Sequence, residues 1–302
     1  MKICVHHWDA FTHQPGKGNP AGIVLSSQDL ADRHMQAIAK AIDFNDTAFV
    51  LPSDKAAFRI RYFAPNREVE LCGHATVAAF SALYQQQQLP DSGHERCYTL
   101  ETKAGVISIE LRESSNNLPL IVMNQGKARF ANFNGERAAL ARAIGIDVSD
   151  FHPTLPVMYG STGRWTLLVP VTDLGVMQRM HPITDQFDLA VAEMPNASIH
   201  PFCLETISPR AKIHARHFSS PGSGTVEDAV TGTASGVLGA YYQQFIKALD
   251  SNEQPLIIEQ GYEVGREGTV QVWAAKQGDD HVVKIAGNAC FVRDIEIELA
   301  QI

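Results

Sequence analysis

Two short turns carry most of the side chains in this sequence that could do chemistry. One reads Cys72-Gly73-His74-Ala75-Thr76. The other, Thr231-Gly232-Thr233-Ala234-Ser235, follows the acids Glu227 and Asp228. Each opens an apolar run of helical length, so each sets its glycine at a helix N-terminus. There the first backbone N–H groups have no partner within the helix and the dipole end is positive, which favours a carboxylate or another small anion. Gly73 and Gly232 would let a ligand come close to the backbone. Cys72, His74, Asp228, Thr231 and Thr233 add titratable or hydroxyl groups at the same places. Two such termini facing each other across an interdomain cleft would hold a small carboxylate ligand. The same turns could equally do no more than start two core helices, with Cys72 as inert packing and His74 as a structural hydrogen-bonding group.

The elements around the turns repeat. Arg61-Tyr62-Phe63-Ala64-Pro65 precedes the first turn, and the helix after it ends Leu83-Tyr84-Gln85-Gln86. Arg216-His217-Phe218-Ser219-Ser220-Pro221 precedes the second, whose helix ends Tyr241-Tyr242-Gln243-Gln244. Both copies are a strand with Arg-x-Phe, a Pro-containing turn, an acid, and a small-residue turn into a buried helix. Gly73 and Gly232 stand 159 residues apart in a chain of 302, so duplication into two similar domains is expected. The boundary is set just after the polar residues 114–117. The domains are 1–122 with 289–302, and 123–288.

Strand signals dominate the rest. Period-two or β-rich runs fall at 47–51, 57–63, 106–111, 166–171, 202–207, 212–218, 256–260, 269–275 and 282–292. Helical patterns are fewer: 30–42 behind a capping box at Ser26-Ser27-Gln28-Asp29, 135–144, and a short one near 187–193. Many strands with a few interspersed helices predict an α+β fold.

Composition narrows the function. The chain is 45% hydrophobic and 19% charged, enough for a sizeable core in each half. Its net charge of −8 argues against a nucleic-acid partner, which needs clustered positive charge. No apolar run approaches the roughly 20 residues that span a bilayer, and the first residues lack a secretory h-region. Five scattered cysteines without CxxC spacing give neither a disulfide framework nor a zinc ribbon. A soluble, reduced, cytoplasmic protein is expected, without membrane partner. Gly16-Lys17-Gly18 and Gly222-Ser223-Gly224 complete no phosphate-binding motif and read as turns. His6-His7 is an isolated pair, and on a strand His214 and His217 would point to opposite faces, so no metal site is expected.

Six blocks in order carry a resemblance to a known family. They are Asp9-Ala10-Phe11-Thr12, Gly18-Asn19-Pro20-Ala21-Gly22, Asn45-Asp46-Thr47-Ala48-Phe49-Val50, Arg61-x-Phe63-Ala64-Pro65, Cys72-Gly73-His74-Ala75-Thr76 and Glu227-Asp228-Ala229-Val230-Thr231-Gly232-Thr233-Ala234. Together they resemble the phenazine-biosynthesis isomerase (PhzF-like) family. The resemblance implies a diaminopimelate-epimerase-like fold: two pseudo-symmetric domains, each a curled mixed sheet around a central helix, with the active site between them. It further implies a cofactor-independent isomerase and a homodimer.

Carried over by motif, the proton-moving base falls on Asp46, where the family usually has Glu. The other site residues fall on Gly73, His74, Asp228 and Thr233, with Thr233 in place of Ser and Ala229 in place of a Pro. The expected reaction shifts a proton on a small carboxylate-bearing metabolite, similar to that of trans-2,3-dihydro-3-hydroxyanthranilate isomerase. Asp46 shuttles the proton, His74 and Asp228 relay or position it, and Gly73, Gly232 and Thr233 hold substrate oxygens. Related epimerases use one cysteine from each half. Cys72 matches the first, but Thr231 stands at the second and is too weak an acid, so two-base racemisation is disfavoured. The alternatives are a catalytically silent small-anion-binding homologue and a single-thiol enzyme using Cys72.

Overall fold

The computed structural model describes residues 2–91, 96–113, 118–220, 223, 225–247, 249, 254–278 and 280–299. Residues 114–117, Pro221, Gly222 and Gly224, named above for a boundary and for turns, lie outside them. The fold is α+β and dominated by sheet, and the chain forms two compact units, Met1–Asn124 with Ala286–Ile302, and Gln125–Ile285.

The first unit contains β1 (Lys2–Ala10), β2 (Asn19–Val24), α1 (Asp32–Ile42), β3 (Asp46–Leu51), β4 (Phe58–Ala64), β5 (Arg67–Val69), α2 (Gly73–Gln85), β6 (Cys97–Thr102), β7 (Gly105–Arg112) and β8 (Leu120–Asn124). Its last strand, β17 (Ala289–Glu298), comes from the far end of the chain. β17 and β2 flank β1, both antiparallel. β3 then runs parallel to β2, β4 antiparallel to β3, and β6 parallel to β4, before the antiparallel run β6–β7–β8. Parallel neighbours need a crossover, which α1 supplies between β2 and β3 and α2 between β4 and β6. Every residue of α2 from His74 to Leu83 is buried, because alanines, Thr76 and Ser81 let strands β1, β2, β3, β8 and β17 pack close around it. A helix apolar on all sides is a core helix. By contrast, α1 buries one stripe, Met35, Ile38 and Ala39, against Val5, Val24, Phe49 and Phe63.

The second unit contains β9 (Arg129–Asn132), α3 (Arg137–Ile144), β10 (Met158–Ser161), β11 (Trp165–Pro170), α4 (Leu174–Arg179), α5 (Phe187–Ala190), β12 (Ser198–Cys203), β13 (Ile213–Ala215), α6 (Gly232–Phe245), β14 (Leu256–Gln260), β15 (Gly268–Gln277) and β16 (Asp280–Gly287). Its strand senses repeat those of the first unit. β9–β10–β11 is antiparallel, β12 is parallel to β11, β13 antiparallel to β12, β14 parallel to β13 and β15 antiparallel to β14. Buried α6 is the counterpart of α2, and the two helices begin at Gly232 and Gly73.

Side chains repeat with the backbone. In β4, Arg61 donates to Glu68 at 2.8 Å, and its guanidinium lies 5.1 Å from the Phe63 ring centre. In the second unit Arg216 donates twice to Glu227, at 2.9 and 2.7 Å, and lies 4.9 Å from the ring centre of Phe218. The Arg-x-Phe signature is therefore a clasp, in which one cation holds both the neighbouring acid and the aromatic face. Arg216 also donates to the carbonyls of Met177 and Met180, closing the end of α4.

The expected helix start at Ser26–Asp29 is corrected. α1 begins at Asp32 after Ala31, with no side-chain cap, and the buried Ser27 hydroxyl donates to the Val24 carbonyl instead. The run expected at 202–207 ends at Cys203, because the amides of Ile207 and Ser208 are drawn onto the Glu259 carboxylate at 2.6 and 2.9 Å. The run at 282–292 is two strands broken at Asn288, whose side-chain amide donates to Pro119 O at 2.9 Å.

Candidate active site

In the first unit the chain brings together three reactive groups that lie far apart in sequence. Asp46 is the first residue of β3, set by its parallel pairing with Ala21 of β2. Cys72 is the extended residue just before α2, and His74 is that helix's second residue. The Cys72 Sγ lies 3.3 Å from His74 Nδ1 and 3.7 Å from Nε2, and His74 Nε2 lies 3.9 Å from Asp46 Oδ2. Asp46 keeps 16% of its side chain exposed while His74 keeps 9%, so the carboxylate is partly desolvated yet reachable.

The turn that presents Cys72 is tied down from below. Thr76 donates its backbone N–H at 3.1 Å and its hydroxyl at 2.7 Å to the Cys72 carbonyl. With the Thr76 proton so used, Tyr62 donates its own hydroxyl to Thr76 Oγ1 at 2.6 Å. Burial pushes the Tyr62 phenol far above its ordinary value. The Thr76 bond opposes this, while the neighbouring Cys72 and Asp46 add to it, so the phenol stays a donor.

In the second unit the turn before α6 is braced by Gln260 at the end of β14. Its amide nitrogen donates to the Asp228 carbonyl at 2.8 Å and to Thr231 Oγ1 at 3.3 Å, and its oxygen accepts from Thr231 N–H at 3.2 Å. Thr231 in turn donates its hydroxyl to Asp228 Oδ2 at 2.5 Å. Glu227 is committed to Arg216, so of the two neighbouring acids Asp228 faces the turn. Thr233 lies in the first turn of α6, where its carbonyl accepts from Thr162 Oγ1 at 3.3 Å. Below Asp228, His217 and His200 bring their Nδ1 atoms to 3.2 Å. Burial holds His217 down at about 4 against the pull of Asp228, and burial also holds His200 well below its ordinary value, so both rings are neutral near pH 7.

Each expected site residue therefore lies at one of two helix-opening turns or beside it. Asp46, Gly73 and His74 belong to the first unit, and Asp228, Gly232 and Thr233 to the second. Sequence reading missed Tyr62, Thr76 and Gln260 as supports, although a polar residue ending the apolar strand Leu256–Gln260 was a visible irregularity. The strand register also aligns the two units. Thr47 pairs with Phe63 and Ile199 with Phe218, so the residue before each, Asp46 in one unit and Ser198 in the other, holds the same place. One unit carries the carboxylate and the other a hydroxyl.

The chain matches the family model of phenazine biosynthesis-like proteins (PhzC-PhzF) over residues 8–294. It is 43% identical over 284 residues, 94% of each protein, to the uncharacterized isomerase YfhB of Bacillus subtilis (strain 168). A Bacillus anthracis phenazine biosynthesis protein of the PhzF family, known from its crystal structure, is 44% identical, with a TM-score of 0.94 over 99% of both chains. The fold extends further, to a hydroxyproline epimerase from Agrobacterium vitis with a TM-score of 0.63 over 98% of this chain and 91% of that one, at 10% identity. Fold and relatives together define the class: this protein is an isomerase. It belongs to the PhzC-PhzF family of phenazine biosynthesis-like proteins.

Proposed function

We propose that the protein moves a proton between carbons of a small carboxylate-bearing metabolite, with Asp46 as the base and with no cofactor, as in trans-2,3-dihydro-3-hydroxyanthranilate isomerisation. The observation that carries this reading is the placement of the Asp46 carboxylate 3.9 Å from His74 Nε2, partly desolvated at the start of a buried helix. Abstracting a carbon-bound proton needs a base held within about 3 Å of its target, and the Asp46 carboxylate is fixed at the start of β3 while part of it stays accessible. His74 accepts or returns the proton beside it. The N–H groups opening α2 at Gly73 hold the substrate carboxylate, as backbone donors at a dipole end do.

The second unit contributes Asp228, Gly232 and Thr233 at its own helix-opening turn, as further proton-positioning and substrate-binding groups. The repeat of strands, clasp and helix supports this division. Aspartate reaches about 1.5 Å less far than the glutamate usual in the family, one C–C bond. The substrate carbon must sit correspondingly deeper, because a misplacement of about 1 Å costs on the order of a hundredfold in rate. We also infer a cytoplasmic homodimer, supported by the family resemblance and by free cysteines at all five positions.

Deuterium uptake from heavy water into the substrate is the direct test, starting with trans-2,3-dihydro-3-hydroxyanthranilate and continuing through unsaturated and hydroxy acids. Wild-type protein should label the product at the receiving carbon, and Asp46→Ala should not. Equal labelling by both would remove Asp46 as the base.

A further inference from the structure

We propose that Asp46, Cys72 and His74 also form a three-ligand site for a thiophilic divalent cation of the zinc class, and that metal binding there competes with proton transfer. The second half of this proposal rests on Asp46 being the base; the first half does not.

The donor set is that of an open zinc-type site. Cys72 Sγ, a ring nitrogen of His74 and an Asp46 carboxylate oxygen lie within 4.8 Å of one another. A tetrahedral zinc, with bonds of about 2.3 Å to sulfur and about 2.0–2.1 Å to nitrogen or oxygen, sets S···N near 3.6 Å and N···O near 3.4 Å. The observed separations are 3.7 Å for Sγ to Nε2 and 3.9 Å for Nε2 to Oδ2, close to these values, but Sγ also lies 3.3 Å from Nδ1, so the His74 ring must turn for one nitrogen and the sulfur to share a metal. Thiolate, imidazole and carboxylate on one centre suit zinc or cobalt and not magnesium or calcium, which prefer oxygen alone. Cys72 and His74 are buried, and the Cys72 carbonyl is pinned by Thr76, so two of the three ligands stand on a backbone already fixed. Three protein ligands leave a fourth position open for water or for a substrate oxygen.

Binding is balanced by one proton. The Cys72 thiol gives its proton to solvent as sulfur bonds the metal, while His74 supplies the lone pair of one ring nitrogen and Asp46 a carboxylate oxygen. With its carboxylate on the metal, Asp46 is no longer free to take a proton from carbon.

A second cluster, Cys4, His6 and Asp294, lies on the outer face of the β1–β17 pair and serves as the internal control. The probe is Co2+, whose thiolate charge-transfer and visible bands report sulfur ligation and tetrahedral geometry. Metal-free wild-type protein should take up one Co2+ per chain with both signatures and release about one proton. Cys4→Ser should leave them unchanged. Cys72→Ser should abolish the charge-transfer band, and Asp46→Asn should weaken binding by about tenfold or more. Should the Cys72 variant unfold, Zn2+ protection of Cys72 from alkylation, mapped in wild-type protein by peptide mass spectrometry, replaces it. Absence of the bands, or their loss in Cys4→Ser with retention in Cys72→Ser, overturns the site. Deuterium labelling by the metal-free protein tests the base separately. If Co2+ fills the site yet leaves that labelling rate unchanged, the competition is overturned and the site stands.

Discussion

Ser198 holds in the second unit the register position that Asp46 holds in the first. Each stands one residue before the strand position paired with the phenylalanine of an Arg-x-Phe clasp. Two copies of one scaffold therefore carry one carboxylate between them at this position. The carboxylate at this position is single-sided, and exchanging the two residues by mutation is not expected to be neutral.

Asp46→Asn keeps the shape and removes the proposed base. Deuterium incorporation should fall by about two to four orders of magnitude, the usual worth of a general base. Ser198→Ala, at the equivalent position, should stay within about threefold of wild type, since one weak hydrogen bond carries little of a barrier. Parallel rate measurements on the two variants check the asymmetry.

The two clasps should differ in stability. Arg216 and Glu227 keep 6% and 9% of their side chains exposed, and Arg216 also satisfies two carbonyls of α4. Arg216→Ala strands a buried carboxylate and should cost about 3–5 kcal/mol. Arg61 holds Asp32, which is 79% exposed, and Glu68, which is 22% exposed, so Arg61→Ala should cost about 1 kcal/mol. Urea unfolding of both variants would show the difference in midpoint.

Stability should decline on both sides of neutral pH. Burial opposes charge on His214, but hydrogen bonds of 2.9 Å to Glu259 and to Glu263 outweigh it and hold the ring up at about 9. A raised imidazole stabilises the fold fully below its unfolded value of about 6.5, and this contribution is lost as pH climbs through about 9. The loss is on the order of 3 kcal/mol. His217, held down by burial at about 4, acts oppositely. The unfolded chain binds the proton first, so stability drops as pH falls from about 6.5 toward 4. Thermal melts from pH 4 to 10 should give a dome, and His214→Phe should flatten its alkaline limb.

Gln260 should matter to both stability and rate. Gln260→Leu leaves the Thr231 N–H and the Asp228 carbonyl without this partner, at a cost of about 1–3 kcal/mol. Gln260→Glu retains the acceptor for Thr231 and should recover part of that loss. The labelling rate should follow the same order, wild type above Glu above Leu. A Leu variant as active as wild type would free Asp228 from dependence on this amide.

The repeat was legible in sequence because its signals were local. Arg-x-Phe, a glycine at each helix start and runs of alanine all follow from one clasp and one close-packed helix. The helix starts at Gly73 and Gly232 emerged at the expected residues for that reason. What stayed hidden depends on partners distant along the chain. Ser26–Asp29 looked like a capping box, but the helix begins at Asp32 without a side-chain cap, and the Val24 carbonyl claims the Ser27 hydroxyl. The strand expected at 202–207 lost its end to Glu259, more than 50 residues away. Asp46 stood out in sequence only through its motif neighbours, whereas in the fold its carboxylate lies 3.9 Å from His74 Nε2. Gln260 carries no motif at all, and its role exists only where β14 passes the turn before α6.

The clasps let the two halves of this chain age differently. Because Arg61 with Glu68 and Arg216 with Glu227 fix each half's architecture without drawing on a reacting group, either half can drift in chemistry while its framework holds. The Asp46–Ser198 contrast is one such drift, and so is the contrast between Cys72 and Thr231. A lineage that duplicates such a module gains a spare copy in which new reactivity can be tried at little risk to folding.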